Sequence, residues 1–225
     1  MRGIVLKYYT KELYEEMQVY GFLSFPSSRE EWEETLQSYK EYGIDYISVI
    51  RNDLEIRKPD LLKYLPKSMH PSIHNKTLMT EYPSSELKET GTQWLDNFED
   101  RLRKIRKECV KNYKELKHKL PKNVVHLHEN SLHDANVISF EYMPEKREFI
   151  MILNHLEDGK EVNVILTFTE VKDIILEDNI ETALWLYDEV YIDGDYFELH
   201  VLFDSPLTDV CIKAQNLQIQ KINLT

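Results

Sequence analysis

At Pro121 the spacing of apolar residues changes. Upstream, Trp94, Phe98, Leu102, Ile105, Cys109, Tyr113, Leu116 and Leu120 recur at steps of three or four, the pattern of one long amphipathic helix. Downstream, apolar and polar residues alternate, the pattern of half-buried strands. A helix-period pattern does not settle as a strand, nor the reverse, so this switch constrains the fold more than any other feature. It predicts an α+β chain, a helical N-terminal half followed by an antiparallel β-sheet. The expected division is residues 1–120, a helical region ending in a long basic helix, and residues 121–225, an antiparallel β domain, the two free to pack as one unit.

Eight strands are expected: Asn136 to Tyr142, Phe149 to Asn154, Val162 to Phe168, Val171 to Leu176, Trp185 to Ile192, Tyr196 to Phe203, Val210 to Ala214 and Leu217 to Ile222. Asp158-Gly159, Asp193-Gly194 and Asp204-Ser205-Pro206 are short, turn-forming links, and short links mean antiparallel pairing. No βαβ unit for nucleotide binding is visible. Upstream, Thr10 is a candidate N-cap for a helix that Gly21 would stop, and Ser28 with Glu31 fits a capping box for a second helix ending at Gly43. Between Ile44 and Tyr82, Pro59, Pro66 and Pro71 predict only short helices and loops.

Charge is segregated. The chain carries a net −12, yet Arg101 to Lys122 holds ten cationic residues against Glu108 and Glu115, a local +8 that leaves −20 for the remainder. Such a helix face is expected to dock an acidic surface, on the same chain or on a second copy. The overall charge repels phosphate backbones, so nucleic acid is disfavoured. No apolar run approaches the roughly 20 residues of a membrane span, so no membrane partner is expected. The start, Met1-Arg2-Gly3-Ile4-Val5-Leu6-Lys7, reaches Tyr8, Tyr9 and Lys11 before any signal-type apolar region, and the expected location is cytoplasmic. Cys109 and Cys211 fall within a helical and a strand pattern, and both are expected as buried free thiols in a reducing compartment.

Few residues suggest chemistry. His126, His128, His133 and Asp134 form the densest set of metal-capable groups, and two histidines at i and i+2 share a face if the segment is extended. This makes a metal-dependent hydrolase the alternative function. The bland reading is a loop entering the sheet, with Asp134 accepting backbone hydrogens. His133-Asp134 is similar to the paired ligands of HD-type phosphohydrolases, but here the pair leads straight into a strand. Asp158 with Glu170-Val171-Lys172 loosely matches a nuclease spacing, and His70 with His74 lacks the glutamate of a zinc-protease helix. No GxSxG, GxxxxGK[ST] or GxGxxG occurs, and no cofactor is implied. The acidic segment Glu177-Asp178-Asn179-Ile180-Glu181 precedes Trp185, Tyr187, Asp188, Glu189 and Tyr191. These aromatic groups alternate with carboxylates, a composition suited to a basic protein partner, although Trp185 and Tyr187 are equally suited to a core.

Lys7-Tyr8-Tyr9-Thr10-Lys11-Glu12-Leu13-Tyr14, Trp185-Leu186-Tyr187-Asp188-Glu189-Val190-Tyr191 and Tyr196-Phe197-Glu198-Leu199-His200-Val201-Leu202 together resemble an uncharacterised bacterial family of low-GC Gram-positive distribution, a domain of unknown function. The resemblance spans nearly the whole chain and implies a bacterial cytoplasmic protein. It carries over no activity, cofactor or catalytic residue. Ser131-Leu132-His133-Asp134-Ala135 and the strands after it are similar to immunity-type proteins, over the C-terminal half only. The function expected is a non-enzymatic, protein-binding module, immunity-like, whose acidic aromatic sheet surface holds a basic partner or a second copy.

Overall fold

The computed structural model describes residues 6–176 and 178–223. Met1 to Val5, on which the export argument begins, and Glu177 of the acidic segment lie outside them. Contacts divide the chain into two compact units: Glu12–Ile105, and the residues up to Lys11 together with Arg106 onward.

The helical unit holds α1 (Lys11–Phe22), α2 (Arg29–Glu41), α3 (Tyr46–Tyr64), α4 (His70–His74) and the larger part of α5 (Ser85–Leu116). Ser28 caps α2 by accepting from the Glu31 amide at 3.2 Å, while the Glu31 carboxylate takes the Ser27 amide at 2.6 Å. The expected box therefore forms, with its return bond one residue early. Gly43, at φ +70°, turns the chain out of α2. Gly21 does not stop α1, which runs to Phe22.

The proline-rich stretch is more ordered than the sequence suggests. α3 spans 19 residues and passes through Pro59. Pro59 and Glu55, whose carbonyl loses its helical donor, are both exposed residues, while buried Leu54 and Leu61 anchor the helix in the core. The core of this unit gathers Val19, Leu54, Leu61, Met69, Ile73 and Leu78. Trp94 of α5 stacks on Phe98 and donates its indole N–H to the Tyr64 carbonyl at 3.0 Å. Gly91 is required there, since a Cβ at that position would stand 2.3 Å from the Phe25 ring.

In the other unit all eight expected strands form: β1 (Asn136–Met143), β2 (Glu148–Glu157), β3 (Lys160–Thr169), β4 (Asp173–Leu176), β5 (Leu184–Asp193), β6 (Tyr196–Asp204), β7 (Thr208–Ala214) and β8 (Asn216–Asn223). They make one antiparallel sheet in the order β4-β7-β6-β5-β1-β2-β3-β8. Pro121 does not mark the end of helix. It caps α6 (Lys122–Glu129), because proline lacks only an N–H that a helix start leaves unpaired. Buried Val124 and Leu127, one turn apart, then seat α6 on the sheet core.

The seam between β1 and β5 is narrow, a single residue pair, Asn136 with Leu184. Phe168 of β3 and Phe197 of β6 are four places apart in the strand order, which in a flat sheet means about 19 Å. Their ring centroids are 6.3 Å apart. The sheet therefore curls at the seam and closes its two four-stranded halves over a shared core.

Candidate functional site

β5 carries the residues that the sequence singles out, and alternation sends them to both faces. Trp185 is fully buried, edge-on to Phe203, with its indole N–H 3.4 Å from Asp188 Oδ1. Asp188 is buried too, and its Oδ2 meets His128 Nδ1 of α6 at 2.5 Å. The Tyr113 ring packs on this imidazole at 4.3 Å. Burial alone lowers the His128 pKa, but the bond and charge of Asp188 outweigh it and leave the pKa above its ordinary value.

Glu189 points the other way and is 2% exposed. One carboxylate oxygen accepts the backbone N–H groups of Tyr8 at 2.8 Å and Tyr9 at 2.7 Å; the other accepts Lys7 N–H at 2.9 Å and the Tyr191 hydroxyl. Tyr9 stacks on Tyr187, centroids 4.6 Å apart at 13°. Burial first, and then the Glu189 charge, push the Tyr191 phenol well above its ordinary range. The five residues expected to hold a partner therefore do not share one open surface: Glu189 and Tyr187 meet the chain's own N-terminal segment, half-buried Tyr191 bonds to Glu189, and buried Trp185 and Asp188 turn the other way, to Phe203 and His128. Alternation predicts which residues share a face but not that a segment 180 residues away will cover it.

The histidine cluster disperses. His126 and His128 lie on α6 rather than on an extended segment, so two residues of separation turn them roughly 200° apart. His126 Nδ1 faces the Asn130 amide at 3.0 Å, His128 faces Asp188, and His133 Nδ1 lies 3.0 Å from Asp134 with its ring edge-on to Tyr187. No three of His126, His128, His133 and Asp134 bring ligand atoms together. The one trio of metal-capable groups that does so among the described residues is Glu198, His200 and Cys211, on β6 and β7. Both cysteines are free; burial pushes the Cys109 thiol up to about 11 and the Cys211 thiol up to about 12, so neither is an activated nucleophile. His70 Nε2 takes up the Leu65 carbonyl at 3.1 Å.

An open acidic aromatic surface exists elsewhere, at the α2–α3 corner of the helical unit. Tyr42 is 81% exposed, and Tyr39, Ile44 and Val49 are exposed beside it. Local contacts build the corner: the Tyr46 ring stands edge-on to Trp32 and Tyr39, Gly43 makes the turn, and Asp45 caps α3 by accepting from the Ser48 amide at 3.3 Å. A hollow of about 470 Å³ opens between Leu36, Lys40, Ile44, Tyr46 and Ile47. Along α2 runs an acidic ridge, Glu30, Glu33, Glu34 and Glu41, around a second hollow of about 460 Å³. The signal in the sequence is the glutamate-rich run Arg29-Glu30-Glu31-Trp32-Glu33-Glu34, of which the capping box uses only Glu31. The basic row also stands open, Arg106, Lys107, Lys111 and Lys114 flanking exposed Val110.

Among the described residues no helix is long and apolar enough to cross a membrane. Comparison with curated proteins returns no match. Among solved structures, an uncharacterized protein from Neisseria gonorrhoeae aligns with 40% of this chain and 93% of its own, at 11% identity and a TM-score of 0.32. The family model described as protein of unknown function (DUF4085) matches residues 8–214, from the strap on Glu189 to the end of β7, and the chain belongs to that family.

Proposed function

We propose that this protein is a non-enzymatic binding module whose docking surface is the α2–α3 corner, and that its partner is a protein with a basic, cleft-filling surface. The observation that carries this reading is Tyr42, 81% exposed, with Ile44 and Val49 beside it and the ridge of Glu30, Glu33, Glu34 and Glu41 adjoining. Isolated apolar residues on a surface need no explanation, but an exposed aromatic and two exposed aliphatic residues near a row of carboxylates suit recognition. Aromatic residues supply anchors at low entropic cost, and the carboxylates select cationic partners and speed their approach. The likeness of the C-terminal half to immunity-type proteins makes a basic toxin the first partner to test.

A photo-crosslinking residue at position 42, in the native host, tests the reading. The expected result is one defined adduct with a basic protein, abolished by Glu33→Lys with Glu34→Lys and absent when the probe stands at exposed Glu161 on β3. No adduct, or the same adducts from position 161, would overturn it.

A further inference from the structure

β6 and β7 bring a different chemistry together. In their register His200 lies opposite Cys211 and Glu198 opposite Lys213, so all four side chains share one face of the sheet. That face is turned away from the core built by Leu199, Val201, Val210 and Ile212. His200 and Cys211 are 9% and 7% exposed. Cys211 Sγ is 3.6 Å from His200 Nε2, and Glu198 Oε2 is 3.4 Å from the same nitrogen. The three ligand atoms all lie within 4.8 Å of one another.

Hydrogen bonding alone accounts poorly for this arrangement. One Nε2–H can point at one acceptor, yet two approach it, and 3.4 Å is long for an imidazole and a carboxylate, which close to about 2.7–2.9 Å when charge assists. A cysteine–histidine–acid relay needs the acid on the second ring nitrogen. Here Nδ1 is buried and has no hydrogen-bond partner, so the polar capacity of this imidazole is spent entirely at Nε2. Sulfur and oxygen both approach Nε2 instead of flanking the ring at its two nitrogens.

We propose that Glu198 Oε2, His200 Nε2 and Cys211 Sγ bind one divalent transition-metal ion, zinc above all. Zinc bonds of about 2.3 Å to sulfur and about 2.0–2.2 Å to nitrogen and oxygen, set at the tetrahedral angle, separate S from N by about 3.6 Å and N from O by about 3.4 Å. Sγ and Nε2 stand 3.6 Å apart and Nε2 and Oε2 3.4 Å apart, and the three groups offer ligand atoms within 4.8 Å of one another. A mixed S, N, O donor set suits a borderline-soft ion and disfavours magnesium or calcium. Charge also balances. Lys213 Nζ holds the other Glu198 oxygen at 2.8 Å and pairs with Asp193, leaving Oε2 free for the ion. Two carboxylates, one thiolate and one ammonium sum to −2, which a dication cancels. On binding, the Cys211 S–H bond breaks and its proton passes to solvent, the proton on His200 Nε2 leaves so that the neutral ring carries its one N–H at Nδ1, and the sulfur, Nε2 and Glu198 Oε2 each form a bond to the metal. The fourth coordination position is left to water or a further ligand, and the ion ties β6 to β7.

The test uses the full chain, prepared without a histidine tag, stripped with chelator and titrated with Co²⁺. The expected result is a thiolate-to-cobalt charge-transfer band that saturates at one equivalent and is bleached by Zn²⁺. It should vanish in Cys211→Ala, persist in Cys109→Ala and His133→Ala, and require at least tenfold more cobalt in Glu198→Gln. In the unaltered protein, Zn²⁺ should slow alkylation of Cys211 and not of Cys109, resolved by peptide mass spectrometry, which keeps the test independent of how the variants fold. No thiolate band, a band that survives Cys211→Ala, or equal alkylation of Cys211 with and without zinc would overturn the proposal.

Discussion

Replacing Glu189 by Gln removes a buried charge while leaving volume and shape almost unchanged. The carboxylate makes four contacts, two per oxygen, and all four donors come from fixed positions: the backbone of Lys7, Tyr8 and Tyr9, and the Tyr191 hydroxyl. In the amide one oxygen becomes an NH₂ group, so two of the four contacts turn donor against donor. Hydrogen bonds to a charged group are worth about 1.5–3 kcal/mol each, so losing two comes to about 3–6 kcal/mol. The Tyr191 hydroxyl can rotate to accept from the new amide, which brings the expected loss to about 3 kcal/mol. For a chain of this length that is a fall in Tm of about 6–12 °C. Thermal melts followed by circular dichroism measure it, and hydrogen exchange at the amides of residues 7–9 should accelerate in the variant. A Tm within about 2 °C of the parent, with those amides as protected as before, would refute the view that Glu189 holds the N-terminal segment.

Two further outcomes are expected. The His128 pKa is raised in the folded protein, so the His128–Asp188 pair stabilises fully below the ordinary value of 6.5 and its contribution fades as pH rises through the raised folded value. The stability gap between the parent and Asp188→Asn, from urea titrations, should therefore be larger at about pH 5.5 than at about pH 9, and a gap independent of pH would refute the pairing. Gly91→Ala should destabilise the protein by about 1–2 kcal/mol, because overpacking against Phe25 exceeds the roughly 1 kcal/mol of added helix propensity. Adding Phe25→Leu should restore part of that loss in the same urea titration, and a more stable Gly91→Ala would contradict the close approach.

The sheet was legible because each strand carries its own alternation and the turns carry Asp-Gly or Ser-Pro, signals that depend only on neighbours in sequence. α3 and α6 were not, because proline was weighed as a breaker. Pro59 is tolerated on an exposed face, and Pro121 begins a helix rather than ending one. The same error turned His126 and His128 into a pair, since spacing of two means one face only in a strand. Asp188 and Glu189 drew notice for their chemistry, but what they meet is set by residues 60 and 180 or more positions away, which no local pattern encodes. Glu198, His200 and Cys211 carry no shared spacing in sequence, because the two strands that supply them meet only once the hairpin is built.

The strap on Glu189 also has a consequence in time. Tyr9 and its acceptor are separated by 180 residues, an interval that takes about 9–36 s to synthesise at 5–20 residues per second. Every residue of the helical unit, Glu12–Ile105, emerges within that interval. The amides of Lys7, Tyr8 and Tyr9 therefore wait through the making of a whole neighbouring unit before the carboxylate that binds them exists. During that wait the nascent chain presents an unclaimed run of N–H donors and two tyrosine rings, open to a chaperone or to the β5 of another chain whose own segment has not yet docked. Crowded translation of one message thus favours exchange of straps between copies, a hazard that arises from the order of synthesis rather than from any weakness in the completed fold.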